Sequence, residues 1–174
     1  ALSSAASDVY KRQLTLGGKP FKICKFRSMC VDSEKNGARL ASKHDSRITP
    51  VGHVLRNLHL DELPQLFNVF KGDMSLVGPR PERESIMLEY EKELPEFYYR
   101  LKVKAGLTGY AQVYGKYNTT SYDKLKLDLT YIRNYSLLLD LKLILMTPKI
   151  MMLKESTEGV ADNGKASDSR HPGV

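Results

Sequence analysis

The sequence predicts an α+β fold in which several helices, some of them amphipathic, surround a small sheet or paired strands. Several stretches repeat apolar residues at helical spacing, whereas the segments with strand-like composition are few and short. The sequence contains no Rossmann glycine pattern, no P-loop and no Gly-x-Ser-x-Gly motif, so a regular doubly wound domain is not expected.

Length and charge limit the class of protein. The chain of 174 residues is long enough for one domain with its own hydrophobic core. Its 27 lysine and arginine residues outnumber its 20 acidic residues, which gives a formal net charge of +7. This balance indicates an anionic partner: a nucleic acid, a membrane surface or a phosphorylated substrate. The charge alone does not choose among them.

The two ends of the chain differ in composition from the middle. Residues 1–13, "ALSSAASDVYKRQ", are small and polar, and "DVYKRQ" resembles the translation of a sequencing-adaptor end. We expect this segment to be an assembly artefact, residues 14–158 to form the domain, and residues 159–174 to be a disordered tail. No signal peptide is visible, and Cys24 and Cys30 match no zinc pattern, so we expect free thiols in a reducing compartment.

The first predicted elements are a strand, a loop and a helix. Aromatic and branched residues over 19–29 predict a strand, and the alternation of side chains places Lys25 and Arg27 on one of its faces. The polar stretch 32–46 is typical of a loop. Apolar residues at helical spacing predict a helix over 48–58, which begins near its Thr-Pro dipeptide.

The next predicted helix also has an apolar face. Its apolar residues lie at positions i, i+3, i+4 and i+7, and they are Leu63, Leu66, Phe67 and Phe70. Pro64 is tolerated only in a first turn, where backbone N–H groups have no helical partner, so the helix is predicted to begin near Asp61 or Glu62. A Lys-Gly-Asp triplet ends it, and "MSLVG" follows as a short strand.

The second half of the chain is predicted to be mainly helical. Charged residues from Glu82 predict a helix that ends at Pro95. Three glycines over 104–116 predict a loop with a short strand. The stretch 122–134 fits both strand alternation and helical spacing, and we choose the helix.

Residues 135–154 form an unusually apolar segment. A transmembrane helix is excluded because the segment is interrupted by Asp140, Lys142, Pro148 and Lys149. Two interpretations remain open: a helix of the hydrophobic core, or an amphipathic helix that lies on a membrane surface.

The adjacent carboxylates Asp61 and Glu62 are the first candidates for chemistry. A carboxylate at a helix N-terminus caps free N–H groups, which by itself explains one acidic residue there. The same position keeps a carboxylate ionised, and an ionised carboxylate can attack phosphorus or bind a hard cation such as Mg²⁺. Capping needs only one carboxylate, so the pair favours a functional site.

Arg80 lies between two prolines in "GPRPE", which spans residues 78–82. Each proline fixes its own φ and biases the preceding residue to extended geometry, so the arginine has a stiff support. Less freedom is then lost when it binds a phosphate in bidentate fashion, although a turn arginine paired with a carboxylate is the structural alternative. Further positive charge is available from Lys25, Arg27, Arg56 and Arg83.

Four motifs in fixed order resemble the bacterial sugar transferase family, the monotopic phosphoglycosyl transferases. They are "KFRSM", "LDELPQLFNVFKGDMSLVGPRPE", "KAGLTGYAQVYGK" and "LDLTYIRNYSLLLDLKLIL". The resemblance covers residues 14–155 and implies transfer of a sugar-1-phosphate from a UDP-sugar to polyprenyl (undecaprenyl) phosphate, with release of UMP. It also implies Mg²⁺ as cofactor and a place on the cytoplasmic face of the bacterial inner membrane.

The same resemblance implies roles for single residues. Asp61 would be the nucleophile that forms a covalent phosphosugar intermediate, and Glu62 would assist as a metal ligand or proton acceptor. The positions implied to bind phosphate or substrate are Lys25, Arg27, Arg56, Arg80 and Glu82. The motif around "GKYNTTSYDKL" favours a hexose as the transferred sugar.

Family members carry an apolar re-entrant membrane helix before the part that begins here, and we expect the chain to be a fragment without it. Two alternatives to the enzyme are a truncated scaffold that retains only the fold and a basic nucleic-acid-binding module. The second lacks aromatic residues interleaved with basic ones and any recognition-helix motif.

Overall fold

The computed structural model describes residues 12–30, 33, 45–115 and 120–151, and it confirms the α+β class. The strands are β1 (Arg12–Leu14), β2 (Pro20–Lys22), β3 (Ser75–Val77) and β4 (Gly106–Thr108). The helices are α1 (Pro50–Asn57), α2 (Gln65–Phe70), α3 (Glu84–Glu93), α4 (Tyr110–Tyr114), α5 (Ser121–Arg133) and α6 (Leu137–Met151). The predictions for residues 1–11, for residues 159–174 and for most of the loop 32–46 lie outside the described residues.

The strands form two separate pairs. β1 runs antiparallel to β2, with Gln13 opposite Phe21. β3 runs parallel to β4, with Ser75 opposite Gly106. A parallel pair needs a crossover connection, which here consists of α3 and the 3₁₀ segment Pro95–Lys102. The ends of β3 and β4 therefore lie side by side, and the loops that follow them begin at one place.

The hydrophobic core consists of three clusters. One lies between β3 and helices α4, α5 and α6, and its buried members are Val77, Val113, Tyr131 and Leu143. A second joins α3, α5 and the 3₁₀ crossover through Met87, Phe97, Leu101 and Leu125. The third packs the β2 strand against β3 and β4 through Phe21, Met74 and Ala105. The helices of the second half of the chain thus enclose most of the core.

Helix α1 begins where its sequence predicts. The Oγ1 atom of Thr49 accepts a hydrogen bond from the backbone N of Gly52 at 2.9 Å, and Pro50 occupies the first helical position. Gly52 also lies against the backbone of Ser28, because a Cβ atom there would be 1.9 Å from the Ser28 carbonyl oxygen. This contact joins the start of α1 to the segment that follows β2.

The predicted strand over 19–29 is too long. Only Pro20–Lys22 is a strand, and it pairs with the three residues of β1. The following chain bonds to other elements instead, and Phe26 N donates to the Asp61 carbonyl oxygen at 3.0 Å. The end of this segment is thereby fastened to the acidic pair.

The predicted start of the second helix near Asp61 or Glu62 is too early. Both residues belong to a 3₁₀ turn, Leu60–Glu62, and α2 begins only at Gln65. His59, just before the turn, has a left-handed backbone with φ of 53°. This conformation breaks the path from α1, so the acidic pair lies on a tight turn between two helices.

The apolar face of α2 is exposed rather than packed in the core. Phe70 is 93% exposed and Leu66 is 45% exposed, whereas Asn68 is 1% exposed. The Asn68 side chain explains this orientation, because its Oδ1 accepts from Cys24 N and its Nδ2 donates to the Lys22 carbonyl oxygen, both at 2.8 Å. A polar brace therefore fixes the inner face of α2.

The predictions for the second half of the chain are largely confirmed. The charged helix, the short strand after it and the helix over 122–134 appear as α3, β4 and α5. Two elements were not predicted: the 3₁₀ segment Pro95–Lys102 and helix α4. Helix α4 has only five residues and follows a glycine, so it is too short to show a helical period.

Helix α6 has both a buried and an exposed side. Leu143 is fully buried in the core, whereas Leu137 and Leu138 are both 81% exposed. Neither of the two interpretations of this segment therefore describes all of it. None of the described helices is both long and apolar enough to cross a membrane.

Candidate active site

Asp61 presents a carboxylate that is available for a ligand. Within the described residues, its side chain forms no hydrogen bond or ion pair, while its backbone oxygen is held by Phe26 N. The position near a helix start predicts an ionised carboxylate with a lowered pKa, but this prediction is wrong in direction: burial and the neighbouring Glu62 charge raise the pKa of Asp61, and Lys25 and Arg56 only oppose this rise. A partly buried, unpaired carboxylate close to positive charges can act as a nucleophile or a cation ligand.

Glu62, the next residue, is fully engaged by two cations. Its Oε1 atom lies 2.6 Å from Arg80 Nη2 and 3.0 Å from Lys25 Nζ, and its Oε2 lies 3.3 Å from Arg80 Nη1. Burial favours the neutral acid, but the Arg80 and Lys25 charges outweigh it and hold the pKa of Glu62 well below its usual range. Glu62 therefore stays ionised and holds two cations beside Asp61.

The arginine of the Gly78-Pro79-Arg80-Pro81 stretch starts from a rigid backbone. Gly78 N donates to the Thr108 carbonyl oxygen at 2.9 Å, and Gly106 N donates to that of Pro79 at 2.9 Å. A Cβ atom at Gly78 would lie 2.3 Å from the Lys104 carbonyl oxygen, so only glycine fits this approach. These contacts fix the backbone just before Arg80, whose side chain is 47% exposed.

A buried ion pair between Arg100 and Asp128 contacts the backbone of the loop that carries Arg80. Arg100 Nη2 donates to the Arg80 carbonyl oxygen at 2.9 Å, and Arg100 Nε donates to Asp128 Oδ2 at 2.6 Å. The two side chains are 6% and 1% exposed, and the guanidinium lies 4.7 Å from the centre of the Phe97 ring. Arg100 and Asp128 were not among the predicted site residues. The available signal was a carboxylate inside the apolar stripe of α5.

A cavity of 760 Å³ opens beside these residues. Glu62, Arg80 and Glu82 are among its charged lining residues, and α4, α5 and α6 supply much of the remaining wall. Residues of α6 make one end apolar, and they are Ile144, Pro148, Ile150 and Met151. The cavity therefore combines an anion-binding side with an apolar end.

Most of the predicted site residues come together, but not all. Lys25, Arg56 and Arg80 surround Asp61 and Glu62, and Glu82 lines the cavity. Of the predicted site residues, the described cavity wall does not include Lys25, Arg27, Arg56, Asp61 or Arg83. Arg27 is exposed.

The acidic pair fits a magnesium ion only together with a ligand. The described part of the chain contains no group of three or more His, Cys, Asp or Glu side chains that could hold a metal. However, Mg²⁺ is commonly bound by one or two carboxylates with substrate phosphates and water. Asp61 has free carboxylate oxygens for this purpose, while Glu62 would share its oxygens with Arg80 and Lys25.

This arrangement, two carboxylates and several cations beside a large cavity, has the chemistry that suits a phosphorylated ligand. The chain belongs to the bacterial sugar transferase family, whose sequence profile matches residues 2–154. The matched range overlaps residues 1–13, and their artefactual origin stays a prediction.

Several curated proteins are similar to the chain. A UDP-N-acetylgalactosamine-undecaprenyl-phosphate N-acetylgalactosaminephosphotransferase of Aeromonas hydrophila is 45% identical over 78% of the chain and 33% of its own length. A UDP-glucose:undecaprenyl-phosphate glucose-1-phosphate transferase of Klebsiella pneumoniae is 43% identical over 83% of the chain and 33% of its own length. The uncharacterized sugar transferase EpsL of Bacillus subtilis is 39% identical over 87% of the chain and 74% of its own length. The chain thus spans about a third of the first two relatives.

Proposed function

We propose that the chain is the catalytic part of an enzyme that transfers a sugar-1-phosphate from a UDP-sugar to polyprenyl (undecaprenyl) phosphate and releases UMP. The observation that carries this proposal is the unpaired Asp61 carboxylate next to Glu62, which holds Arg80 and Lys25 and lines the cavity. The names of the relatives supply the same two substrates.

The proposed reaction has two displacements at one phosphorus atom. An Asp61 carboxylate oxygen attacks the phosphorus that bears the sugar, and the bond from this phosphorus to the UMP oxygen breaks. UMP leaves, and an aspartyl phosphosugar remains. An oxygen of polyprenyl phosphate then attacks the same phosphorus and displaces the Asp61 carboxylate, which is regenerated.

The cations stabilise the charge of both phosphorylated substrates. Arg80 can bind two phosphate oxygens with its fork of N–H groups, and Lys25 and Arg56 add positive charge near Asp61. Glu62 positions Arg80 and Lys25 before the substrate arrives. Its low pKa makes it a weak proton acceptor near neutral pH, so we assign it this positioning role together with metal binding.

Magnesium would be held by Asp61 and Glu62 together with phosphate oxygens of the substrate. When bound, it would neutralise part of the negative charge on the diphosphate. Of these two carboxylates, Asp61 has the free oxygens, so it would contribute the larger share of the protein ligands.

We also propose that the chain lies on the cytoplasmic leaflet of the bacterial inner membrane, where polyprenyl phosphate is found. Large apolar side chains are exposed along α1 and α2, and they are Val51, Val54, Leu58, Leu63, Leu66, Phe67 and Phe70. A second exposed set lies on α6 and consists of Leu137, Leu138, Leu141 and Leu145. Apolar surfaces of this extent mark interaction sites rather than solvent-facing helices.

The test of the reaction is UMP release in the presence of Mg²⁺, undecaprenyl phosphate and a panel of UDP-sugars. The chain is assayed as it stands and with an apolar helix added before Arg12, each beside Asp61→Asn. We expect UMP from one or more UDP-sugars and none from Asp61→Asn. If the folded, membrane-bound protein released no UMP with any sugar, the enzymatic proposal would be rejected in favour of a scaffold.

A further inference from the structure

Polar atoms without hydrogen-bond partners are concentrated in the cavity wall. Among the described residues, five buried side-chain polar atoms have no partner, and four of them belong to residues that line the cavity. These four are Nε2 of His59, both amide atoms of Gln112 and Oδ1 of Asp128. The fifth is Oε1 of Gln13, which is in β1 and outside the cavity lining.

Buried polar atoms without hydrogen-bond partners destabilise the fold. Their concentration in one cavity wall therefore indicates that a ligand binds there. A buried donor or acceptor that forms no hydrogen bond loses its water without compensation, and native proteins contain few of them. Asp128 is 1% exposed, and only its Oδ2 is used by Arg100. The Gln112 amide lies against Gly109, where a Cβ atom would be 2.7 Å from Gln112 Oε1. Neighbouring protein groups therefore leave these atoms unpaired.

The number of donors and acceptors indicates the chemistry of the missing partner. Gln112 on α4 and Asp128 on α5 offer two acceptor oxygens and one NH₂ group, and α4 packs against α5. Two acceptors require two donors on the ligand. A uracil ring has one N–H donor, whereas the ribose and the transferred sugar each have at least two hydroxyl groups that both donate and accept, so a comparison of UDP with UDP-glucose is needed to separate the two sugars. The set of atoms is complementary to a sugar.

We propose that Gln112 and Asp128 form the subsite that binds the sugar hydroxyl groups of the nucleotide sugar. This inference rests on the proposed function and adds the place of the sugar to it. Asp128 then has two roles. Its Oδ2 accepts a hydrogen bond from Arg100, which in turn bonds to the backbone of the Arg80 loop, and its Oδ1 accepts a hydrogen bond from a sugar hydroxyl. The phosphate-binding loop and the sugar subsite share one buried carboxylate.

Substitution of Gln112 by methionine tests the subsite, because methionine keeps the length of the side chain and removes both unpaired polar atoms. Gln13→Met is the matched control, since it removes a buried unpaired oxygen away from the cavity. Affinities for UDP-glucose and for UDP are measured by calorimetry with Mg²⁺ on the whole chain, and thermal unfolding is measured without ligand.

We expect Gln112→Met to raise the unfolding temperature of the free protein by about 2–4 °C, because an unpaired polar group is removed. The same variant should weaken UDP-glucose binding about 5- to 10-fold and leave UDP binding unchanged. Gln13→Met should leave both affinities unchanged. A residue that only supports the fold would not combine higher stability with a selective loss of sugar affinity.

Three results would overturn the subsite. If Gln112→Met lost affinity equally for UDP and UDP-glucose, Gln112 would lie at the uridine. If both affinities were unchanged in this variant, Gln112 would lie outside the site. If the wild type bound UDP and UDP-glucose equally well, the transferred sugar would make no contact. Failure of the proposed function would give a different result. In that case the wild type would not bind UDP, or Arg80→Ala would not weaken UDP binding.

Discussion

Helices α2 and α5 use similar sequence patterns in opposite ways. Both contain apolar residues at helical spacing, and in α5 these residues are packed inside, with Leu125 at 3% and Tyr131 at 1% exposure. In α2 the apolar residues face outwards, while Gln65 and Asn68 are buried. This difference shows that a helical period identifies the apolar face of a helix. It does not show whether that face packs against the protein core or lies on the surface.

The inner sides of the two helices also carry different polar groups. Asn68 on α2 is neutral and bonds to the backbone beside Lys25, whereas Asp128 on α5 is charged and pairs with Arg100. One polar contact positions the segment after β2 that carries Lys25, and the other positions the loop that carries Arg80. The two cations that meet at Glu62 therefore depend on two separate buried polar contacts.

The largest effect is expected from Asp128→Ala on α5. Removal of the carboxylate leaves the Arg100 charge buried without its partner, which should destabilise the fold by about 3–5 kcal/mol. Denaturant unfolding measures this loss. The double variant Arg100→Met/Asp128→Leu should recover most of the stability and still bind UDP poorly, because Arg80 loses its backbone support. A double variant with normal UDP affinity would show that the loop needs no such support.

The contrast between the two apolar faces is tested by Leu125→Ala and Leu66→Ala. Leu125 is in the core, so its truncation should cost about 2–5 kcal/mol, whereas truncation of the exposed Leu66 should change stability by less than about 0.5 kcal/mol. Liposome flotation should give the reverse order, with weaker binding only for Leu66→Ala. Equal flotation of both variants would remove α2 from the proposed membrane surface.

The brace of α2 is tested by Asn68→Ala. The change leaves Cys24 N and the Lys22 carbonyl oxygen without their partner, and we expect a loss of about 1–3 kcal/mol in the free energy of unfolding. The segment that carries Lys25 should also lose its position, so UDP affinity should fall. Asn68→Asp serves as the control, because it keeps the acceptor for Cys24 N and loses the donor to Lys22.

The smallest expected effect concerns the acidic pair and its dependence on pH. Because the folded-state pKa of Asp61 is raised, its contribution to stability is present below the unfolded pKa and is lost as pH rises through the folded pKa. Asp61→Asn should therefore be slightly more stable than the wild type at neutral pH, by less than about 1 kcal/mol. It should be inactive in UMP release.

For Glu62 the sign of the pH effect is the opposite. Its folded-state pKa is lowered, so its contribution to stability is present above the unfolded pKa and is lost as pH falls through the folded pKa. Unfolding curves of Glu62→Gln and the wild type should thus converge in acid and separate towards neutral pH. Curves that stayed parallel would contradict the ion pairs with Lys25 and Arg80.

Local patterns were sufficient for those parts of the molecule that depend on neighbouring residues. The cap of α1, the end of α2, the strand β3 and the helices α3 and α5 follow from short stretches of sequence, because caps, turns and helical periods act over a few residues. The acidic pair and the arginine between prolines were identified for the same reason. Their chemical character is local, and it does not depend on where the chain folds.

Contacts between distant residues decided the rest. Asn68 turns the apolar face of α2 outwards through bonds to residues more than 40 positions away, as its sequence separations of 44 and 46 show. Arg100, Gln112 and Asp128 come to the Arg80 loop only through the packing of α4, α5 and the crossover. A buried polar group looks like any other polar residue in a sequence. The group becomes important only when folding buries it away from water and leaves it with one hydrogen-bond partner or with none.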